Sequence, residues 1–244
     1  MTLAELGQFD EALETAAEGL RLAESQRDSY SITYALLGVG GTLVRRGHLR
    51  EARPLLERGI GQCGDMPAFY PPFAGDLALI HALAGRGAEA VELAERGVRQ
   101  ARSMQRLGSL SQITTHLGEV RLLAGDAAGA VEAGRLALEL AHTHGERGNV
   151  VYAERLLGVA AVAGPSPDLT RARAHLGRAL ALAGELAMRP LAARCHLALA
   201  RVAGREGDGG TAAKHLAEAR EAFQAMRMPL WVERAGGETG PIEL

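Results

Sequence analysis

Aromatic residues make up only 4% of this 244-residue chain, and Trp231 is its one tryptophan. A core of bulky rings is excluded. The 47% hydrophobic content must come mainly from Ala, Leu and Val, which let helices approach closely. Two cysteines, Cys63 and Cys195, lie far apart and in no CxxC pair, which excludes a disulfide scaffold. Period-2 clusters of β-branched residues are missing, which argues against strands. No run of 18 apolar residues offers a membrane span. The start of the chain carries Glu5, Asp10, Glu11 and Glu14 rather than a basic-then-apolar leader, so the expected location is cytoplasmic. Net charge is −2, and arginines and acidic residues are interleaved, which excludes a strong pull toward nucleic acid or anionic lipid. Lys214 is the one lysine. The wealth of Ala, Gly, Leu and Arg fits a GC-rich bacterial genome.

What the chain has is a repeat. The turn Leu6-Gly7-Gln8-Phe9-Asp10-Glu11-Ala12 returns as Arg46-Gly47-His48-Leu49-Arg50-Glu51-Ala52, then near Gly85, Gly125 and Gly207, and in distorted form as Ala163-Gly164-Pro165-Ser166-Pro167-Asp168. The anchoring alanines Ala12, Ala52, Ala90, Ala130, Ala172 and Ala212 are spaced 40, 38, 40, 42 and 40 apart. Seven residues after each anchor stands a small residue: Gly19, Gly59, Gly97, Ala137, Ala179, Ala219. A mid-helix Gly costs about 1 kcal/mol against Ala. Three at one phase predict close approach of a neighbouring helix. Apolar residues at offsets 4, 7 and 8 complete one stripe of a helix.

Upstream of the turns, Val39-Gly40, Leu77-Ala78, Leu117-Gly118, Leu157-Gly158 and Leu199-Ala200 pair a large with a small residue. Each repeat therefore reads as a leading helix, a glycine turn in the left-handed conformation, and a trailing helix. Pro71-Pro72, Pro190 and Pro229 stand where leading helices begin. Pro54 predicts a trailing helix that starts late or bends. The longest irregular stretch is expected over 61–72.

Leu117-Gly118, then Ala130, then Ala137, resembles the tetratricopeptide repeat. The period departs from that family's, near 40 instead of about 34, and the usual closing proline is absent. This looks like the longer-helix variant of large bacterial regulators: LuxR-type ATP-dependent activators and nucleotide cyclases fused to an ATPase. Residues Arg194 to Arg201, on through Ala219 and then Phe223 to Arg234, are similar to the C-terminal end of such chains. The resemblance implies an all-α, right-handed α-solenoid of about six helix pairs over residues 1–235. A disordered tail is expected over 236–244.

The first pair is incomplete, since Ala12 lies in a trailing helix with only six residues before Gly7. Two readings stay open: a chain that continues N-terminally in a longer protein, or a capping helix without a partner. The unpaired stripe is a candidate for dimerisation. Trp231 is expected to cover the last apolar stripe.

Chemistry is hard to find. Gly38-Val39-Gly40-Gly41-Thr42 lacks the Lys-Ser/Thr of a phosphate loop and lies inside a leading helix, where close packing explains it. His142-Thr143-His144, with Cys63 or Cys195-His196 as remote partners, lacks zinc-ligand spacing. His175 and His215 share one repeat phase, three after the anchor. No catalytic constellation, cofactor site or metal site emerges, so no enzyme activity is expected. By analogy with tetratricopeptide repeats, the inner face of the leading helices carries Tyr34, Gln112, Glu119, Tyr152, Arg155, Arg194 and Arg201, a concave groove for a peptide or partner domain. The leading expectation is a protein-interaction scaffold. The alternative is a C-terminal regulatory region of a cyclase or LuxR-type regulator, with the remainder of the same polypeptide as partner.

Overall fold

The computed structural model describes residues 2–105 and 107–237. Among these, twelve α-helices and one 3-10 turn (Pro67–Phe69) follow in order, with no strand. Trailing helices are α1 (Phe9–Gln26), α3 (Leu49–Gln62), α5 (Gly87–Ser103), α7 (Ala127–Thr143), α9 (Leu169–Glu185) and α11 (Gly209–Ala225). Leading helices are α2 (Ser29–Arg46), α4 (Tyr70–Leu83), α6 (Leu107–Leu123), α8 (Arg147–Ala160) and α10 (Arg189–Arg205), and α12 (Pro229–Gly236) closes the series. The all-α repeat solenoid expected from the anchors is the architecture found. Most of the tail, 238–244, lies outside the described residues.

The repeat signals map onto specific contacts. Ala52, Ala90, Ala130 and Ala172 are completely buried where paired helices cross. The turn glycines, of which Gly47 is the most extreme at φ 93°, adopt the left-handed conformation. Pro71, Pro72, Pro190 and Pro229 sit in the first turns of their helices, where a missing N–H costs nothing. Helix α3 does not start late. It begins at Leu49 despite Pro54, because the carbonyl that Pro54 leaves unpaired belongs to exposed Arg50, within reach of water.

The small-residue phase is explained at Gly59 and Gly97. A Cβ on Gly59 would run into the Phe73 ring, and one on Gly97 would lie 3.3 Å from the Ala74 Cβ. Gly19 does not follow: nothing stands within 4 Å of its Cβ position. At Gly40 and Gly41 packing is the reason for the glycine run, since a Cβ at Gly40 would meet Leu56 at 2.6 Å and one at Gly41 the Asp76 carboxylate at 3.0 Å.

Trailing helices show the solvent an outer face. Leading helices α4, α8 and α10 are buried nearly all round: in α8 every residue from Ala153 through Ala160 is buried. The two ends of the solenoid also meet. Ala4 and Phe9 share one apolar cluster with Ala193, Leu197, Phe223, Met226 and Trp231. Arg46 donates to the Arg227 carbonyl at 3.2 Å and pairs with Asp10 at 2.9 Å. The apolar stripe of α1 is thus covered at its start by the C-terminal helices, while Leu22 near its other end remains exposed. Trp231 covers the last stripe as expected, stacking on Phe223 with centroids 6.0 Å apart.

Candidate binding groove

The face of the leading helices that was expected to line an open groove is mostly filled. Glu119 of α6 pairs with Arg155 of α8 and, at 3.3 Å, with Arg194 of α10. Glu119 is 2% exposed and Arg155 1%. Burial works against the Glu119 charge, but the guanidinium groups of Arg155 and Arg194 outweigh it and hold the carboxyl below its usual range. Burial and the neighbouring Arg155 push Arg194 down to about 10, so it stays charged at neutral pH. Its guanidinium lies 4.3 Å from the Trp231 ring centroid, which ties the network to α12. These three expected groove residues hold three repeats together across the inside of the coil.

Two others, Gln112 and Tyr152, line an open cavity of about 630 Å³. The turn over residues 2–7 forms one wall, α1 and α2 a second, α6 and α8 a third. Glu5 from that turn bridges the walls: it accepts from the Tyr152 hydroxyl at 2.7 Å and from Arg45 Nε at 2.8 Å. Burial, reinforced by the Glu5 carboxylate, pushes the Tyr152 hydroxyl up, so it remains a donor. Burial opposes the Arg45 charge, yet Glu5, Tyr152 and Asp76 together raise it above the ordinary value. Asn149 and Thr42 add polar edges, and Leu3, Ala16, Leu37, Leu186 and Met188 supply apolar surface. A mostly apolar concavity with a few fixed donors and acceptors is the general form of a ligand pocket.

The remaining two expected residues stand apart. Tyr34 is 65% exposed near the start of α2, beside Tyr30 and Phe69, whose ring centroids lie 5.2 Å from each other. Arg201 donates to the Arg234 carbonyl at 3.2 Å, at the C-terminal closure. Glu5, Arg45 and Asn149 were missed by sequence reasoning. For Glu5 the signal lay in the turn before α1, whose six residues were read as too short for a helix and too acidic for a leader.

Nucleophilic chemistry finds no support in the cysteines. Burial pushes both Cys63 and Cys195 thiols up to about 11, leaving them protonated at neutral pH.

Fold and groove together define a tetratricopeptide-like helical-repeat protein. The tetratricopeptide repeat family model matches residues 71–96 and 193–218, which cover α4 with the start of α5 and most of α10 with the start of α11. No curated protein matches the sequence. Among solved structures, BtubC (BKLC) from P. vanneervenii is similar at 18% identity and a TM-score of 0.61, covering 96% of this chain and 94% of its own. A Rap protein complexed with Competence and Sporulation Factor is similar at 12% identity and 0.73, covering 92% of this chain. The Rap conjugation gene regulator of plasmid pLS20, in complex with the Phr* peptide, gives 15% and 0.69, covering 98%. This chain spans 62% and 63% of the lengths of those two Rap chains. At such identities the likeness is one of fold. No helix among the described residues is long and apolar enough to cross a membrane.

Proposed function

We propose that this chain is a non-catalytic interaction scaffold that seats a peptide or an extended partner segment in the inner cavity between the turn over residues 2–7, α2, α6 and α8. The observation that carries the reading is the cavity itself: about 630 Å³, with Gln112, Tyr152, Arg45 and Glu5 converging on a mostly apolar floor. The paired Glu5 carboxylate and Arg45 guanidinium offer one acceptor and one donor to a backbone, which suits a peptide main chain. That two structures of the same fold are complexes with Competence and Sporulation Factor and with the Phr* peptide is in keeping with this seat. A cytoplasmic setting goes with it. The reading as a regulatory region of a cyclase or LuxR-type regulator rests on resemblance alone.

The test is selection of peptides from a random displayed library on the purified chain, followed by titration against Gly38→Leu. Gly38 lines the cavity, and the one atom near its Cβ position is the Ala16 Cβ at 3.8 Å, so the added side chain fills the cavity without displacing the fold. Loss of peptide affinity in the variant supports the seat. Undiminished binding places the site elsewhere and ends the proposal.

A further inference from the structure

Between α10 and α11, His196, His215 and Glu218 bring three ligand atoms within 4.8 Å of one another. His196 Nδ1 lies 2.8 Å from His215 Nδ1 and 3.0 Å from Glu218 Oε2. One ring nitrogen thus faces two partners, and it can offer a single proton to only one of them in a good hydrogen bond.

The preceding repeat shows what this notch holds when it is self-sufficient. Glu154 occupies the register of His196, three residues before the large residue of the leading helix (Leu157, Leu199). His175 and His215 both stand three after their anchors, and Arg178 and Glu218 six after. There the Arg178 guanidinium donates to both Glu154 oxygens, at 2.9 and 3.0 Å, and its Nη2 stands 2.7 Å from His175 Nδ1. A cation closes on a carboxylate and an imidazole that also meet each other, His175 Nδ1 lying 2.6 Å from Glu154 Oε2. In the last repeat the cation's register is taken by Glu218, and the notch offers two imidazoles and a carboxylate with no guanidinium at that position.

The geometry points to a divalent transition-metal site, zinc-type, held by His196, His215 and Glu218 with a fourth position open to water. Two imidazoles and one carboxylate form a known three-ligand set for Zn²⁺, at about 2.0–2.2 Å from each atom. A tetrahedral ion at those lengths sets two nitrogens about 3.3 Å apart. The ring nitrogens therefore need to part by about 0.5 Å from the 2.8 Å observed. Glu218, with 42% of its side chain exposed, is free to swing onto the ion. Access is available: His215 also lines an open polar cleft of about 290 Å³ with Glu206, Asp208 and Thr211. The inference is independent of the cavity proposed above, which shares none of these residues.

The test uses the untagged full chain and Co²⁺ as a spectroscopic probe, competed by Zn²⁺. One equivalent of Co²⁺ is expected to give the strong visible bands of a tetrahedral site, and one equivalent of Zn²⁺ to remove them. His215→Ala is expected to weaken binding by at least about tenfold, the lower bound that loss of even an outer partner costs a metal site. The double variant His196→Glu/Glu218→Arg rewrites the notch with the residues of the preceding repeat. It is expected to bind no metal while keeping the helical circular-dichroism spectrum. His142→Ala/His144→Ala, at the exposed end of α7, is expected to bind as wild type. Absent Co²⁺ bands, full affinity in His215→Ala or in the double variant, or loss in the α7 variant would each overturn the assignment.

Discussion

Replacing Glu119 by Gln tests the buried network most severely. The substitution keeps the shape and removes one charge, leaving the guanidinium groups of Arg155 and Arg194 facing each other without a counter-ion. At an effective dielectric of about 20, a unit pair at 4 Å is worth about 4 kcal/mol. Glu119 meets two such cations, so roughly 8 kcal/mol of attraction stands against several kcal/mol for burying the carboxylate. The expected net loss is about 3–5 kcal/mol, the range seen when one partner of a buried pair is removed. Arg155 Nε and Arg194 Nε already lack partners, so the network has little slack to absorb the change. In urea, with a slope of about 3 kcal/mol per molar, the midpoint should fall by about 1 M or more. Far-ultraviolet circular dichroism reads the helices, and Trp231 fluorescence reads the Arg194 end of the network. A midpoint within about 0.2 M of wild type would show that solvent reaches these groups and that the interior is not closed as described. Replacing Glu119 by Leu together with Arg155 by Met should be milder than Glu119→Gln, because it leaves one buried guanidinium, that of Arg194, without a carboxylate where Glu119→Gln leaves two facing each other.

Two glycines at the same repeat phase should respond with opposite signs in thermal unfolding. Gly59→Ala drives a Cβ into the fully buried Phe73 ring and is expected to destabilise by about 1–3 kcal/mol, whereas Gly19→Ala meets nothing and should gain about 1 kcal/mol of helix propensity. Ala187 holds φ 53°, so Ala187→Gly should stabilise by about 0.5–1 kcal/mol through relief of left-handed strain, measured by urea midpoint. Acid unfolding should carry the Glu119 signature. Its carboxyl titrates lower when folded, so its stabilisation is complete above the unfolded value of 4.5 and is lost as pH falls through the folded value. Melting temperature recorded from about pH 6 to about pH 3 should therefore drop more steeply for wild type than for Glu119→Gln.

Much of the fold was legible because a solenoid is built from local rules. The anchors at Ala52 through Ala212, the glycine turns and the helix-starting prolines each act within one repeat, and periodicity exposes them. That Gln112, Glu119, Tyr152, Arg155 and Arg194 share one phase of the leading helices was legible for the same reason. Whether that face is open was not. Curvature accumulates from small rotations at every helix crossing, and no single residue encodes their sum. Glu119 and Arg194 stand 75 positions apart, and Glu5 and Tyr152 147 apart, so their meeting depends on the whole coil. The His196–His215 contact escaped for a smaller reason. Repeat phase aligns His215 with His175, and the partner that matters changes from Glu154 to His196 between the two repeats.

The claim at the centre of this account is that ligands are taken inside the coil and not on its aromatic edge. A photo-crosslinking residue placed at Gln112 in one variant and at Tyr34 in another, each exposed to a peptide selected on the wild-type chain, separates the two surfaces. The cavity account predicts an adduct from position 112 and none from position 34. An adduct from position 34 alone would move the binding surface to Tyr30, Tyr34 and Phe69 and contradict it.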